Sequence, residues 1–226
     1  MRIRNVSNHA APVPITSTAI AGTRPRSRLV AVDEWPYHRL AMLIYSMSVS
    51  ADGFISGREG SIEWGAPSDE QFRFHIEQVR GLGGCLLGRR LYETMLVWDA
   101  DPSLRASEPG AEFAEIWCSI PKIIFSRTLD SVQGNARLAR GSLAEEIAAV
   151  LAATDKDVEI GGARLAGAAI ELGLVDELRI FRNPIVLGDG TPFLPPVTEA
   201  VPLDLVETKT FAARVIYERY RCARDT

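Results

Sequence analysis

The chain is poor in the residues that mark several classes of protein. It has only three histidines, His9, His38 and His75, and none has a partner at metal-ligand spacing, so no zinc site is expected. Its three cysteines, Cys85, Cys118 and Cys222, are odd in number, widely scattered and set within or beside apolar runs. They read as reduced packing thiols of a cytoplasmic protein, not as a disulfide framework. No apolar run approaches the roughly 18 residues needed to span a bilayer, so no membrane partner is expected. Positive charge is short as well. A net charge of −4 and a pI near 5.5 argue against nucleic acid as a partner. No internal repeat is evident. What is present, 226 residues with 46% hydrophobic and 24% charged, is ordinary globular usage and suits one sizeable domain plus some extra length.

The extra length falls at the start. Residues 1–40 hold six arginines (Arg2, Arg4, Arg24, Arg26, Arg28, Arg39) against two acids (Asp33, Glu34), with many Ser, Thr, Pro and Ala. No continuous apolar core follows the first arginines, so a secretory signal fits poorly. An Arg-rich, acid-poor leader superficially suggests a transit peptide, but the composition is read here as a disordered extension. The packed domain is expected from residue 41 to the C-terminus at 226, with Met42 a natural beginning.

From there the chain alternates. MLIYSMSV (Met42 to Val49), GGCLLG (Gly83 to Gly88), PKIIFS (Pro121 to Ser126) and DVEI (Asp157 to Ile160) are short apolar runs without helical period and read as buried strands. Between them, SDEQFRFHIEQVR carries Ser68 as an N-cap and Phe72, Ile76 and Val79 at helical spacing. RRLYETMLVW, a segment marked by Leu143, Ile147, Val150 and Leu151, and Ala163 to Leu172 read as further helices, the last closed by Gly173. The tail, VDELRIFRNPIVLG and LDLVETKTFAARVIYERYRC, reads as strands. This order predicts an α/β fold, a mostly parallel sheet with an antiparallel C-terminal edge and helices on both faces.

In such a sheet, ligands bind beyond the carboxyl ends of the strands, where this sequence concentrates glycine, hydroxyl and arginine. Gly161 and Gly162 follow DVEI and open a helix, whose free N–H groups favour a phosphate. Gly162 and Gly167 have nucleotide-loop spacing, but Ala168 and Ala169 follow where Lys and Ser/Thr are required. The dinucleotide fingerprint is absent too, since Ala163 and Arg164 follow the glycine pair. Gly88-Arg89 and Ser126-Arg127-Thr128 close two further strands. An arginine there suits the 2′-phosphate that separates NADPH from NADH.

The order SVSADGFIS, LLGRRLYETM, KIIFSRTL, EIGGARLAGAAIELGLVDELRI and NPIVLGDGTPF resembles the dihydrofolate-reductase-like superfamily. More closely, it resembles the reductase domain found C-terminal in the bacterial riboflavin-biosynthesis deaminase/reductase, over roughly residue 41 to the C-terminus. The resemblance implies a three-layer dihydrofolate-reductase-like fold, a homodimer, and NADPH as hydride donor to a small-molecule substrate. It assigns Gly88, Arg89, Ser126, Arg127 and Thr128 to the cofactor, with Gly161, Gly162, Ala163, Arg164 and Leu165 at the helix start. It assigns Ser50, Asp52 and Gly53 to the nicotinamide and substrate pocket, and Gly188 and Gly190 to the substrate end, although a tight hairpin explains the last pair equally well.

Departures from the family matter. The zinc deaminase pattern is absent, so the chain is not the bifunctional riboflavin enzyme. DADPSLRAS only loosely echoes the phosphate-binding phrase of that enzyme. Folate reductases carry an acid at the start of their first helix. Asp69 or Glu70 stands at that place here, though capping explains acids there. Asp52 is the leading candidate for polar contact at the reacting end, and equally the first residue of a D-G turn. Trp64 reads either as a wall of the substrate pocket or as a core aromatic. The expected activity is NADPH-dependent reduction of a conjugated heterocycle or carbonyl compound, related to 5-amino-6-(5-phosphoribosylamino)uracil reduction. The alternatives are a non-catalytic NADPH-binding protein and a genuine dihydrofolate reductase.

Overall fold

The four apolar runs read as buried strands lie side by side in one sheet. The computed structural model describes residues 41–212 and 214–223; the extension expected over 1–40 lies outside the described residues. In chain order the strands are β1 (Leu43–Ser50), β2 (Phe54–Ser56), β3 (Leu82–Gly88), β4 (Lys122–Phe125), β5 (Ala136–Leu138), β6 (Asp157–Gly161), β7 (Glu177–Asn183), β8 (Thr191–Pro192), β9 (Leu203–Thr210) and β10 (Ile216–Cys222). The helices are α1 (Asp69–Arg80), α2 (Arg89–Met95), α3 (Val97–Ala100), α4 (Glu108–Ser119), α5 (Leu143–Ala152) and α6 (Ala163–Glu171).

The main sheet has the order β5-β4-β3-β6-β1-β7-β10-β9. Every pairing from β5 to β7 is parallel, while β10 runs antiparallel to β7 and to β9. Central parallel strands are covered on both faces, which is why their sequences read as near-continuous apolar runs. On one face Leu43, Tyr45, Leu86, Val158, Ile160 and Ile180 pack against Ile147 of α5 and Ala166, Ala169 and Ile170 of α6. On the other, Cys85, Leu87 and Ile124 pack against Ile76 and Val79 of α1, Tyr92 of α2, and Phe113 and Trp117 of α4. Each fully buried aliphatic side chain here contributes roughly 1.5–3 kcal/mol. A smaller cluster joins Phe74 of α1 to Phe181, Phe211, Val215 and Tyr217. The three-layer architecture and the antiparallel edge match the expectation from sequence.

Four elements escaped the sequence reading. α4 begins Glu-Pro-Gly, which looks like a turn, yet Ser107 caps it and proline is tolerated in a first helical turn. β5 is only three residues long. β2 and β8 form a separate two-stranded ladder, made possible because Gly190 lets the chain approach β2; a Cβ there would collide with the Ser56 carbonyl oxygen. The helix expected over RRLYETMLVW ends at Met95, and a tighter turn in which Asp99 N–H donates to Leu96 C=O leads into α3.

Candidate active site

Because β4, β3, β6, β1 and β7 run the same way, their carboxyl ends form one edge. Along it stand, in spatial order, Ser126, Gly88, Gly161, Ser50 and Asn183, although the chain visits them in another order. Loops far apart in sequence therefore converge, and the edge divides into two halves.

The first half spans the ends of β4, β3 and β6. Gly162 has φ +98°, a conformation that side chains with a Cβ rarely adopt, and it turns the chain directly from β6 into α6. Gly161 is explained by packing, since a Cβ there would meet the side chains of Leu91 and Leu87. Across the gap, a methyl group added to Gly162 would sit 3.8 Å from the Gly88 Cα, so bare backbone faces bare backbone. The longer helices elsewhere begin on a serine whose hydroxyl accepts from a first-turn N–H: Ser68 for α1, Ser107 for α4 and Ser142 for α5. α6 has no such side-chain cap. Its first-turn N–H groups, those of Ala163, Arg164 and Leu165, are thus the ones intrahelical bonding leaves open, at the positive end of the helix dipole.

Three expected residues meet beside this cradle. Arg89 donates from one Nη to Thr128 Oγ1 at 2.6 Å and from Nε to Glu93 at 2.7 Å. Ser126 Oγ accepts from the backbone N–H groups of Thr128 (3.2 Å) and Leu129 (3.0 Å), shaping the turn after β4. Arg127 and Arg164 are exposed and make no side-chain hydrogen bond or ion pair among the described residues. Two arginines that the sequence reading passed over share the edge: Arg90, in the first turn of α2, and Arg140, two residues beyond β5. The signal for Arg90 was available, since it follows the strand read at GGCLLG, whereas Arg140 follows β5, which the sequence reading missed. By contrast, Arg179 and Arg219 on β7 and β10 both pair with the buried Glu177. A positive edge on a chain of net charge −4 focuses an anion-attracting field there.

The second half spans the ends of β1 and β7. Asp52 accepts from Ser50 Oγ (2.7 Å), from Leu187 N–H (3.1 Å) and from Gly188 N–H (2.7 Å). The Ser50 hydroxyl first, and these backbone donors with it, hold the Asp52 carboxyl down at about 2. Asp52 is therefore a carboxylate that latches the loop after β7 onto the end of β1. The D-G turn is visible too, with Gly53 N–H donating to Ser50 C=O and Gly53 at φ +92°. Ser50, fully buried, also accepts from Phe54 N–H at 2.9 Å. Gly188 lies on the latched loop and Gly190 against β2. Phe193, beyond them, stacks on Tyr45 at 4.7 Å and accepts the Tyr45 hydroxyl through its carbonyl. Trp64 is half-buried and donates its indole N–H to Ser61 C=O. Asp69 is exposed at the first position of α1. Glu70 is engaged by the β9–β10 turn, accepting from Ala212 N–H and pairing with Lys209 at 3.6 Å.

Sequence reasoning missed the residue of α1 that faces inward here. Gln71 is fully buried in the first turn of α1, one position beyond the acids singled out from sequence. It lies on a polar stripe, Gln71, His75 and Gln78, at spacings of four and three. That stripe was the signal, beside the apolar one.

Among the described residues no helix is long and apolar enough to cross a membrane. The chain is 31% identical over 179 residues to YyaP of Bacillus subtilis strain 168, itself uncharacterized; the match covers 77% of this chain and 91% of YyaP. Its fold is similar to that of a Shewanella sp. PV-4 protein provisionally assigned to riboflavin biosynthesis (TM-score 0.66, 22% identity, 81% of this chain and 99% of that one). It is also similar to Enterococcus faecalis dihydrofolate reductase in complex with NADP(H) (TM-score 0.56, 19% identity, 82% and 98%). Residues 41–217 match the RibD C-terminal domain. The chain belongs to the RibD C-terminal domain family, and that membership supports an oxidoreductase of the riboflavin-pathway type.

Proposed function

We propose that the protein is an NADPH-dependent reductase of a small conjugated heterocyclic or carbonyl substrate, related to 5-amino-6-(5-phosphoribosylamino)uracil. The observation that carries this reading is the uncapped start of α6 facing the Gly88 backbone, flanked by an arginine-lined edge. A backbone cradle of this kind fits a pyrophosphate, which needs close approach and N–H donors more than side chains. Gly88, Gly162 and the first turn of α6 would hold the pyrophosphate. Arg89, Ser126, Arg127 and Thr128 would hold the adenosine 2′-phosphate, where a guanidinium can bind in two-pronged fashion.

When bound, the reduced nicotinamide supplies a hydride. The chain supplies position and exclusion of water. In this reading Asp52 works as a positioning residue: ionised, it fixes Leu187 and Gly188 and so shapes the wall of the substrate end. The protein works as a homodimer in the reducing cytoplasm. The edge strand β9, with Leu203, Leu205 and Val206 40–59% exposed, is the surface that favours a second copy.

The test is oxidation of NADPH by the purified full chain, followed as falling absorbance of the reduced nicotinamide, with 5-amino-6-(5-phosphoribosylamino)uracil and with dihydrofolate as substrates. Turnover of the uracil compound with NADPH, and weak use of NADH, is the expected result. Tryptophan quenching by NADPH without turnover of either compound would replace the enzyme with a binding protein. Equal use of NADH would remove the role given to Arg127.

A further inference from the structure

Gln71 has no place in the cofactor cradle or the Asp52 latch, yet it is the most completely buried polar side chain of α1. Its amide Nε2 lies 3.3 Å from Nε2 of His75. Burial pushes His75 down to about 4, so its ring is neutral near pH 7, accepts at Nε2 and carries its proton on Nδ1. His75 is held in turn against Phe181, with ring centroids 4.2 Å apart. The other end of the amide, Oε1, is buried and has no hydrogen-bond partner among the described residues. Buried acceptors rarely stay unpaired, and an exception calls for a reason.

The position of that oxygen follows from the register of α1 on the sheet. Gln78 meets Arg179 of β7, and His75, one turn nearer the start of the helix, meets Phe181. α1 thus runs opposite to β7. One further turn, about 6 Å of helix and about two residues of strand, brings Gln71 level with Asn183 and its neighbour Ser50 at the carboxyl edge. The nearby carboxylates are otherwise engaged or outside: Asp52 is saturated by Ser50, Leu187 and Gly188, Glu70 faces Ala212 and Lys209, and Asp69 is exposed. Gln71 Oε1 is thus a buried neutral acceptor on the first turn of the helix that packs over the carboxyl end of β7.

We propose that Gln71 is the specificity-determining residue of the substrate end, its Oε1 accepting a hydrogen bond from the ring N–H of a neutral lactam-type heterocycle. This rests on the reductase reading above and deepens it. An amide oxygen pairs with a neutral N–H, such as that of a uracil ring. It gives a protonated amidine none of the charge pairing that a carboxylate would. A substrate carrying only acceptors at that point would leave Oε1 unpaired and be rejected.

The test uses the NADPH-loaded full chain and isothermal titration with two probes, 5,6-diaminouracil (a neutral lactam) and 2,4-diaminopyrimidine (a basic amidine). Wild type is expected to bind diaminouracil at least about tenfold more tightly than diaminopyrimidine. Gln71→Leu should weaken diaminouracil about tenfold or more while NADPH affinity stays within about twofold. Gln71→Glu should reverse the order of the two probes. Unchanged diaminouracil affinity in Gln71→Leu, an unreversed order in Gln71→Glu, or no binding of diaminouracil to loaded wild type would overturn the proposal. NADPH affinity of each variant doubles as the control for folding. Should Gln71→Leu not fold, Gln71→Glu alone decides. Failure of the wild type to bind NADPH would instead remove the reductase reading beneath it.

Discussion

The two halves of the carboxyl edge are built on opposite plans. At the β4–β3–β6 end, function is left to open groups: an uncapped helix start, bare glycine backbone, and two arginines, Arg127 and Arg164, without carboxylate partners among the described residues. At the β1–β7 end, almost every polar group is spoken for. Ser50 and Asp52 are tied to each other and to the loop at 187–188, and the amide oxygen of Gln71 on the neighbouring helix stands out as unmatched among the described residues. The first plan suits a highly charged ligand with the same shape in every catalytic cycle, since charge and backbone geometry are enough to hold it. The second suits a small ligand that must be told from its near relatives, where one rigidly framed acceptor does the discrimination.

The contrast can be broken from the cofactor side first, where the largest effect is expected. Gly162→Val places a branched residue at φ +98° and fills the gap opposite Gly88. The backbone strain alone is on the order of 1–2 kcal/mol. NADPH affinity measured by tryptophan quenching should fall by about a hundredfold or more, beyond what the loss of stability explains. Next in size, Arg127→Ala should weaken NADPH about ten- to a hundredfold, the span expected for lost hydrogen bonds to a charged group. NADH should change little in the same titration. Equal losses for the two dinucleotides would place Arg127 away from the 2′-phosphate.

The substrate side should respond differently. Asp52→Asn should leave NADPH affinity within about twofold and raise KM for the substrate, because the loop at 187–188 loses its charged anchor. The sign of the pH effect follows from a carboxyl held below its ordinary value. The order it gives the loop is complete above about pH 4 and is lost as pH falls toward 2. In NMR spectra the amide signals of Leu187 and Gly188 should move with a midpoint near 2 in wild type and stay flat in Asp52→Asn.

The smallest effect touches neither ligand. Glu159 lies in the middle of the sheet, between Ile44 of β1 and Cys85 of β3, and burial pushes its carboxyl up to about 7. A raised acid favours the fold fully below about pH 4.5, and that contribution is lost as pH rises through 7. Glu159→Gln should therefore match wild type in thermal melts near pH 5 and melt several degrees higher at pH 8, with NADPH affinity unchanged.

Much of this was legible in the sequence, for a physical reason. Strands buried on both faces must be apolar throughout, so MLIYSMSV, GGCLLG and PKIIFS announce themselves, and their shared direction then places Gly88, Ser126 and Gly161 at one edge. Asp52 was legible only as an ambiguity, because a D-G turn and a loop anchor use the same residue, and the anchored partners lie 135 and 136 positions away. Gln71 was legible only as one member of the polar stripe it forms with His75 and Gln78. A glutamine beside two acids at a helix start reads as surface, and only the packing of α1 over β7 buries it. β2 and β8 were hidden because their pairing depends on a close approach at Gly190 that no local pattern encodes.

The central claim is that one crevice, assembled from distant loops, grips a reduced dinucleotide at its arginine-lined end. Hydrogen–deuterium exchange of the full chain with and without saturating NADPH tests this directly. The account predicts slowed exchange at residues 88–91, 126–129 and 161–165 together, with no change along the edge strand at 203–210. Protection confined to one of those loops, or appearing instead at the far end of the sheet, would contradict it.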